Sequence, residues 1–81
     1  MIFTTQVKVM PLKELLDPQG KAVLGSLTQL GITSIQDVRV GKNITLQIDA
    51  ATKEAAIAIA TESATKLLAN PVMEMFEVSV D

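Results

Sequence analysis

The chain predicts an α+β domain: one antiparallel sheet with two helices laid on one face. Three observations point there. Apolar and polar residues alternate near both ends of the chain and again around residues 44–48, which is the period of a half-buried strand. Between these stretches apolar residues recur every three or four positions, the period of a helix. The 81 residues make one small domain, 1–81, with no linker, repeat or low-complexity segment to divide it.

The first strand covers residues 2–10. Phe3, Val7 and Val9 alternate with Thr4, Gln6 and Lys8, so one face is buried. The first helix starts at Asp17-Pro18. Asp17 caps the free N–H groups of the first turn, and Pro18 loses nothing at the first helical position. Val23, Leu27 and Leu30 form an apolar stripe that Leu24 widens, and Gly31 fits the left-handed residue that ends many helices. A second strand is expected over 34–40. Val40-Gly41-Lys42-Asn43 reads as a tight turn into a third strand, where Ile44, Leu46 and Ile48 alternate with Thr45, Gln47 and Asp49. The second helix spans 52–69, with Ile57, Ala60, Ala64, Leu67 and Leu68 on one face. Its alanines favour helix and allow close approach to a sheet, and Asn70-Pro71 stops it. In the fourth strand Phe76, Val78 and Val80 face one way, and Met75, Glu77 and Ser79 the other.

The order is therefore β-α-β-β-α-β, the split βαβ or ferredoxin-like arrangement. Two helices cover one sheet face. The other carries Thr4, Gln6, Lys8, Thr45, Gln47, Glu77 and Ser79 and is either solvated or turned towards a second subunit. Exposed strand edges need covering, and pairing across subunits is one way to cover them.

Composition narrows the function. A chain this short supports a marginal core, and with no cysteine neither disulfides nor thiolate metal sites can staple it. Oligomerisation is the remaining common staple, so a homo-oligomer is expected. Seven basic and nine acidic residues leave a net charge of −2, without the basic stripe of a nucleic-acid binder. Phe3 and Phe76 are the only aromatics, too few for a base-stacking platform. No apolar run approaches the roughly 20 residues that span a bilayer, and no signal peptide is visible. The expected location is the cytoplasm, with no nucleic-acid or membrane partner.

Chemistry has little to work with. Histidine is absent, and with it the commonest general base and metal ligand. Ser26, Ser34, Ser63 and Ser79 lack a Gly-x-Ser-x-Gly setting. Glu74 and Glu77 flank Phe76 and read as solvated residues rather than as an acid/base pair, which needs opposed environments in a cleft. Asp37 and Asp49 lack the clustered oxygens of a calcium loop. Gly41-Lys42 has no long glycine-rich cradle leading into a helix, so a hairpin glycine with positive φ is expected there rather than a phosphate site. Arg39 and Lys42 place positive charge at this hairpin, which suits docking to an acidic partner surface. Asp17-Pro18-Gln19-Gly20-Lys21 reads as a capped helix start whose amides are also able to hold an anion. No catalytic, cofactor-binding or metal-binding residue is assigned.

Three phrases at the ends of these elements carry a resemblance. They are Leu16-Asp17-Pro18-Gln19-Gly20-Lys21-Ala22-Val23; Leu30-Gly31 followed by Asp37-Val38-Arg39-Val40-Gly41-Lys42; and Leu67-Leu68-Ala69-Asn70-Pro71-Val72 with Glu74 and Phe76-Glu77-Val78. In this order and spacing the chain resembles the PurS family, small subunits of the three-part phosphoribosylformylglycinamidine synthase of purine biosynthesis. The resemblance covers essentially the whole chain, and the Asn-Pro-Val-x-Glu phrase is its most specific part. Met73-Glu74-Met75 departs from the residues that other members often have around the glutamate.

The resemblance implies membership of a complex. A glutaminase subunit releases ammonia, and a large ligase subunit uses ATP and magnesium to install it on formylglycinamide ribonucleotide. The small subunit is a homo-oligomer built on dimers that bridges the two and assists ammonia transfer, with no catalytic residue or cofactor of its own. On this reading partner contacts fall on Arg39, Gly41 and Lys42, on Asp17, Gln19 and Lys21, and on Asn70 and Pro71.

The rival is a regulatory module of the same fold that binds a small ligand between subunits. Such modules are usually fused to an enzyme, whereas this chain reads as free-standing, and fold alone does not separate the two. An acylphosphatase-like enzyme is disfavoured, because Met10-Pro11-Leu12-Lys13 lacks the arginine-bearing phosphate loop that chemistry needs.

Overall fold

The computed structural model describes residues 1–81. Strand β1 (Ile2–Pro11) is followed by helix α1 (Pro18–Gln29), strand β2 (Lys42–Asp49), helix α2 (Lys53–Ser63) continued by a π-turn (Ala64–Leu68), and strand β3 (Glu74–Val80). The three strands form one antiparallel sheet in the order β2-β1-β3. Val7 sits opposite both Ile44 and Val78, and Thr5 opposite Leu46 and Val80.

The period-two pattern decides which side is buried. Thr5, Val7 and Val9 are fully buried, with Ile48 beside them. Ala56, Ala60 and Ala64, one helical turn apart, press α2 onto this face, and methyl-sized side chains let the helix approach closely. Thr5 is the one polar member of the core, and its hydroxyl donates to the Leu46 carbonyl at 3.2 Å. On the outer face Gln6 is a hub. Its Oε1 accepts from Asn43 at 2.6 Å and Thr45 at 2.8 Å, and its Nε2 donates to Asp81 at 3.0 Å.

The α+β class and the antiparallel sheet with a helix on one face are as the sequence predicts. Two particulars differ. The sheet has three strands, not four, because residues 34–40 form none. The order β2-β1-β3 is that of a ferredoxin-like sheet with one edge strand missing. A strand needs a neighbour for its backbone groups, and here the chain leaves the sheet instead. The Val40 N–H, for example, is taken by the Asp17 carboxylate at 2.8 Å. Secondly, α1 does not lie on the sheet; only α2 packs substantially against the strands. The radius of gyration is 16.0 Å, against about 12 Å for a compact domain of this length. The molecule measures 50 × 25 × 14 Å, with residues 18–40 projecting as an arm.

Local signals hold where the tertiary expectation fails. Asp17 caps α1 and Pro18 takes its first position. Gly31, at φ +89°, ends it. The Gly31 N–H donates to the Thr28 carbonyl and the Ile32 N–H to the Leu27 carbonyl, each at 3.0 Å, the paired bonds of a Schellman motif. Thr52 caps α2 by accepting from the Ala55 N–H at 3.1 Å. The π-turn alters the stripe expected on this helix. A wider turn shifts the buried side by one residue, so Leu67 is 82% exposed while Ala69 is buried.

Candidate functional site

The first two phrases meet at the neck of the arm. Asp17 uses both carboxylate oxygens there: Oδ1 accepts from the Gly20 N–H at 3.1 Å and Oδ2 from the Val40 N–H at 2.8 Å. These two bonds, with the nearby Arg39 guanidinium, hold the Asp17 carboxyl below the usual carboxylate range, against a smaller opposing effect of burial. Arg39 crosses the neck the other way, donating from Nη1 to the Leu15 carbonyl at 2.7 Å and from Nη2 to the Lys13 carbonyl. Asp37 lies 3.8 Å from its Nε.

Two glycines let these segments approach. A Cβ on Gly20 would lie 2.0 Å from the Val38 carbonyl oxygen. A Cβ on Gly41 would lie 2.2 Å from the Met10 sulfur and 2.3 Å from the Val9 carbonyl oxygen. Gly41 does not have the positive φ expected of a hairpin glycine; only Gly31 does. With no strand before it there is no hairpin, and close passage over β1 is the constraint that selects glycine.

The third phrase builds a closed turn. The Asn70 carbonyl accepts from the Met73 and Glu74 N–H groups at 3.1 and 2.7 Å. The Asn70 side chain accepts from the Val72 N–H at 3.0 Å, and the Glu74 carboxylate accepts from the Asn70 N–H at 2.7 Å. Glu74 opens β3 with its carboxylate in an exposed bond, and beyond what the sequence suggests it closes the turn. The spacing of four between Asn70 and Glu74 across a proline was the available signal.

The three phrases converge. A cleft of about 330 Å³ is lined by Leu16, Asp17 and Gln19 from the first, Val40 from the second, and Asn70 and Glu74 from the third. An adjoining cleft of about 390 Å³ holds Lys13, Asp17, Lys21 and Arg39. Pro71 lies on a third, beside the π-turn. Of the predicted contact residues, Gly41 and Lys42 line none of these clefts: Gly41 packs on β1 and Lys42 opens β2. Leu15, Leu16, Met73 and Glu74 also belong to this region; Leu15 and Leu16, apolar residues next to a helix start, look like core in the sequence, and Met73 and Glu74 look like the start of a strand. Leu16, Val72 and Met73 are exposed here instead.

The arrangement is suited to recognition. Both Asp17 oxygens and the Glu74 carboxylate are engaged by backbone amides of the chain itself, and no buried side-chain nitrogen or oxygen lacks a partner. No three His, Cys, Asp or Glu side chains gather into a metal-sized group. No helix is long and apolar enough to cross a membrane. Along the arm Val23, Leu30, Ile32 and Ile35 are exposed. So much apolar surface away from the core marks a surface that another molecule covers.

Comparison with known proteins agrees with this picture. A relative from Mycobacterium leprae, named phosphoribosylformylglycinamidine synthase subunit PurS, is 45% identical over 73 residues, 90% of this chain and 89% of its own. The Bacillus subtilis protein of the same name is 34% identical over 80 residues, 99% of this chain and 94% of its own. The solved structure of PurLQS from Thermotoga maritima contains a chain that superposes with a TM-score of 0.93 at 30% identity, covering 100% of this chain and 99% of that one. The family model described as PurS, phosphoribosylformylglycinamidine (FGAM) synthase, matches residues 4–81. With the projecting arm and the three converging phrases, this match places the chain in the PurS family.

Proposed function

We propose that this chain is the non-catalytic small subunit of a phosphoribosylformylglycinamidine synthase. As a homo-oligomer it bridges a glutaminase subunit and an ATP-dependent ligase subunit and assists the passage of ammonia between them. ATP and magnesium belong to the ligase partner, and this chain binds neither. Its place of work is the cytoplasm, with purine synthesis.

The observation that carries this reading is the arm. A chain of 81 residues whose first helix makes no substantial contact with its own sheet holds out apolar surface that its own core does not use. That is a costly arrangement for an isolated small domain and a reasonable one for a subunit. A second copy covers the apolar stripe of the arm. The exposed Gln19, Lys21, Lys42, Asn70 and Pro71 are contacts for the catalytic partners. Asp17, Arg39 and Gly41 complete the proposed contact set and shape the backbone there. Tethering raises the local concentration of the two partners without any reacting side chain.

The test is glutamine-dependent synthesis by purified ligase and glutaminase subunits, with and without this chain, beside the ammonia-driven reaction. The glutamine reaction should require the chain and the ammonia reaction should survive its removal. If neither responds, the bridging role is wrong.

A further inference from the structure

The arm needs something to aim it. Residues 18–40 leave the body and return to it at one point, and α1 makes no substantial contact with the strands or with α2. Within one copy its direction is therefore set where the chain departs, at Lys13–Asp17, and where it returns, at Val38–Gly41.

Three bonds tie departure to return, and two residues make all of them. Asp17 holds the Gly20 N–H on the outgoing side and the Val40 N–H on the returning side. Arg39, on the returning side, holds the Leu15 and Lys13 carbonyls on the outgoing side. Asp17 thus reaches from the departing segment to the returning one, and Arg39 reaches back. Gly20 lets the start of α1 lie against the Val38 carbonyl, so the two segments are in contact as well as tied. The bonds involve a carboxylate and a guanidinium, the stronger class of hydrogen bond.

We propose that Asp17 and Arg39 form a clasp that fixes the direction of the arm, and that they act as positioning residues for ammonia hand-over. This deepens the bridging role and rests on it. An arm that swings leaves the catalytic partners joined but misaligned, and ammonia then escapes to water before it is used. The neighbouring charged groups that face the clasp are Lys13, Glu14, Lys21 and Asp37. Among them only Asp37 is paired with a clasp residue, at 3.8 Å from Arg39, so none of them substitutes for either member.

The test uses the full chain carrying Asp17→Asn or Arg39→Gln, with Arg39→Lys as the milder variant that keeps the charge and removes the fork. An asparagine in the Asp17 place accepts from one amide but turns an NH₂ group towards the other. Amide hydrogen exchange should quicken about tenfold across residues 20–30 while Thr5, Val7 and Val9 in the sheet keep their protection, since local opening is independent of global unfolding. With the ligase and glutaminase present and the variant saturating, the glutamate released per amidine product should rise about twofold, because tethering without alignment lowers the effective concentration. A variant that is merely less stable would return to the normal ratio at saturation.

Unchanged exchange in the arm, or equal quickening throughout the sheet, would overturn the clasp. A loosened arm with an unchanged glutamate-to-product ratio would overturn the positioning role and leave bridging intact. Failure of the unmodified chain to support glutamine-dependent synthesis would instead sink the bridging role, while the exchange result would stand.

Discussion

Gly20 and Gly25 lie on the same helix and should respond to alanine with opposite sign. In both places alanine gains helix propensity over glycine, worth about 0.8–1 kcal/mol. A Cβ on Gly25 meets nothing within 4 Å, so that gain is realised in full. A Cβ on Gly20 would lie 2.0 Å from the Val38 carbonyl oxygen, 2.9 Å from the Val38 carbonyl carbon and 2.8 Å from Asp17 Oδ2. Real Cβ contacts stay beyond 3.0 Å, so the helix start has to withdraw by about 1 Å, and the obstacle is backbone that no side-chain rotation clears. Overpacking of this kind costs about 1–3 kcal/mol. Since the propensity term is common to both, the variants should differ by that amount. At a factor of ten for every 1.4 kcal/mol, the gap is about fivefold to 150-fold in the opening equilibrium of the arm. Hydrogen exchange of the α1 amides measures it directly. If Gly20→Ala protects the helix as well as Gly25→Ala does, the neck is not tight and the account of it given above is wrong.

Other changes test the body and the turn. Val7→Ala removes two methyl groups' worth of contact from a fully buried site and should cost about 2–3 kcal/mol, lowering Tm by roughly 10–20 °C in a domain of this size. Ala60→Leu should cost about 1–3 kcal/mol by wedging α2 off the sheet; an unchanged melting curve would mean that the helix is not pressed against it. Asn70→Ala and Glu74→Ala each release a backbone amide of the closed turn and should cost about 0.5–1.5 kcal/mol. Glu74→Gln keeps an accepting oxygen and should be milder, a ranking that equilibrium denaturation can check. Protonation should also loosen the arm. Because the folded state depresses the Asp17 pKa, its contribution is fully present above the ordinary carboxylate value of about 3.9. It is lost as pH falls through the lower folded value. Arm protection, corrected for intrinsic exchange, should fall in that range in the natural chain. In Asp17→Asn that fall should be absent.

Much of the fold was legible because it depends on neighbours in sequence. Capping by Asp17 needs only the amide of Gly20, three residues on. Termination at Gly31 needs only the last turn of α1 and a positive φ. The alternations of β1, β2 and β3 separate buried from solvated faces whatever the strand order, because side chains point alternately to the two faces of a strand. The contact candidates at 17–21, 39–42 and 70–71 lie at the ends of elements, and most of them surround one pair of clefts.

What failed involved partners distant in sequence. No strand forms over 34–40: Ile35 is out of phase with Val38 and Val40, and an apolar pattern does not say which chain covers it. The stripe of α1 likewise predicts a buried face without saying which chain buries it. Leu67 left its expected face because one π-turn changes the phase of the helix, and no side chain in Ala64–Leu68 announces it. The turn-closing bond of Glu74 was hard to read because its partner is a backbone amide, marked in the sequence only by the spacing of four from Asn70 across a proline.

The sequence alone determined the class of fold, the ends of both helices, the buried face of each strand and, through its three phrases, the family. The tertiary structure alone decided that residues 18–40 stand away from the body, that Asp17 and Arg39 tie the two ends of that arm together, and that the three phrases meet. The division is physical. Caps, turns and periodicity are set by interactions within a few residues, whereas the direction of an arm rests on a few bonds between segments more than 20 residues apart.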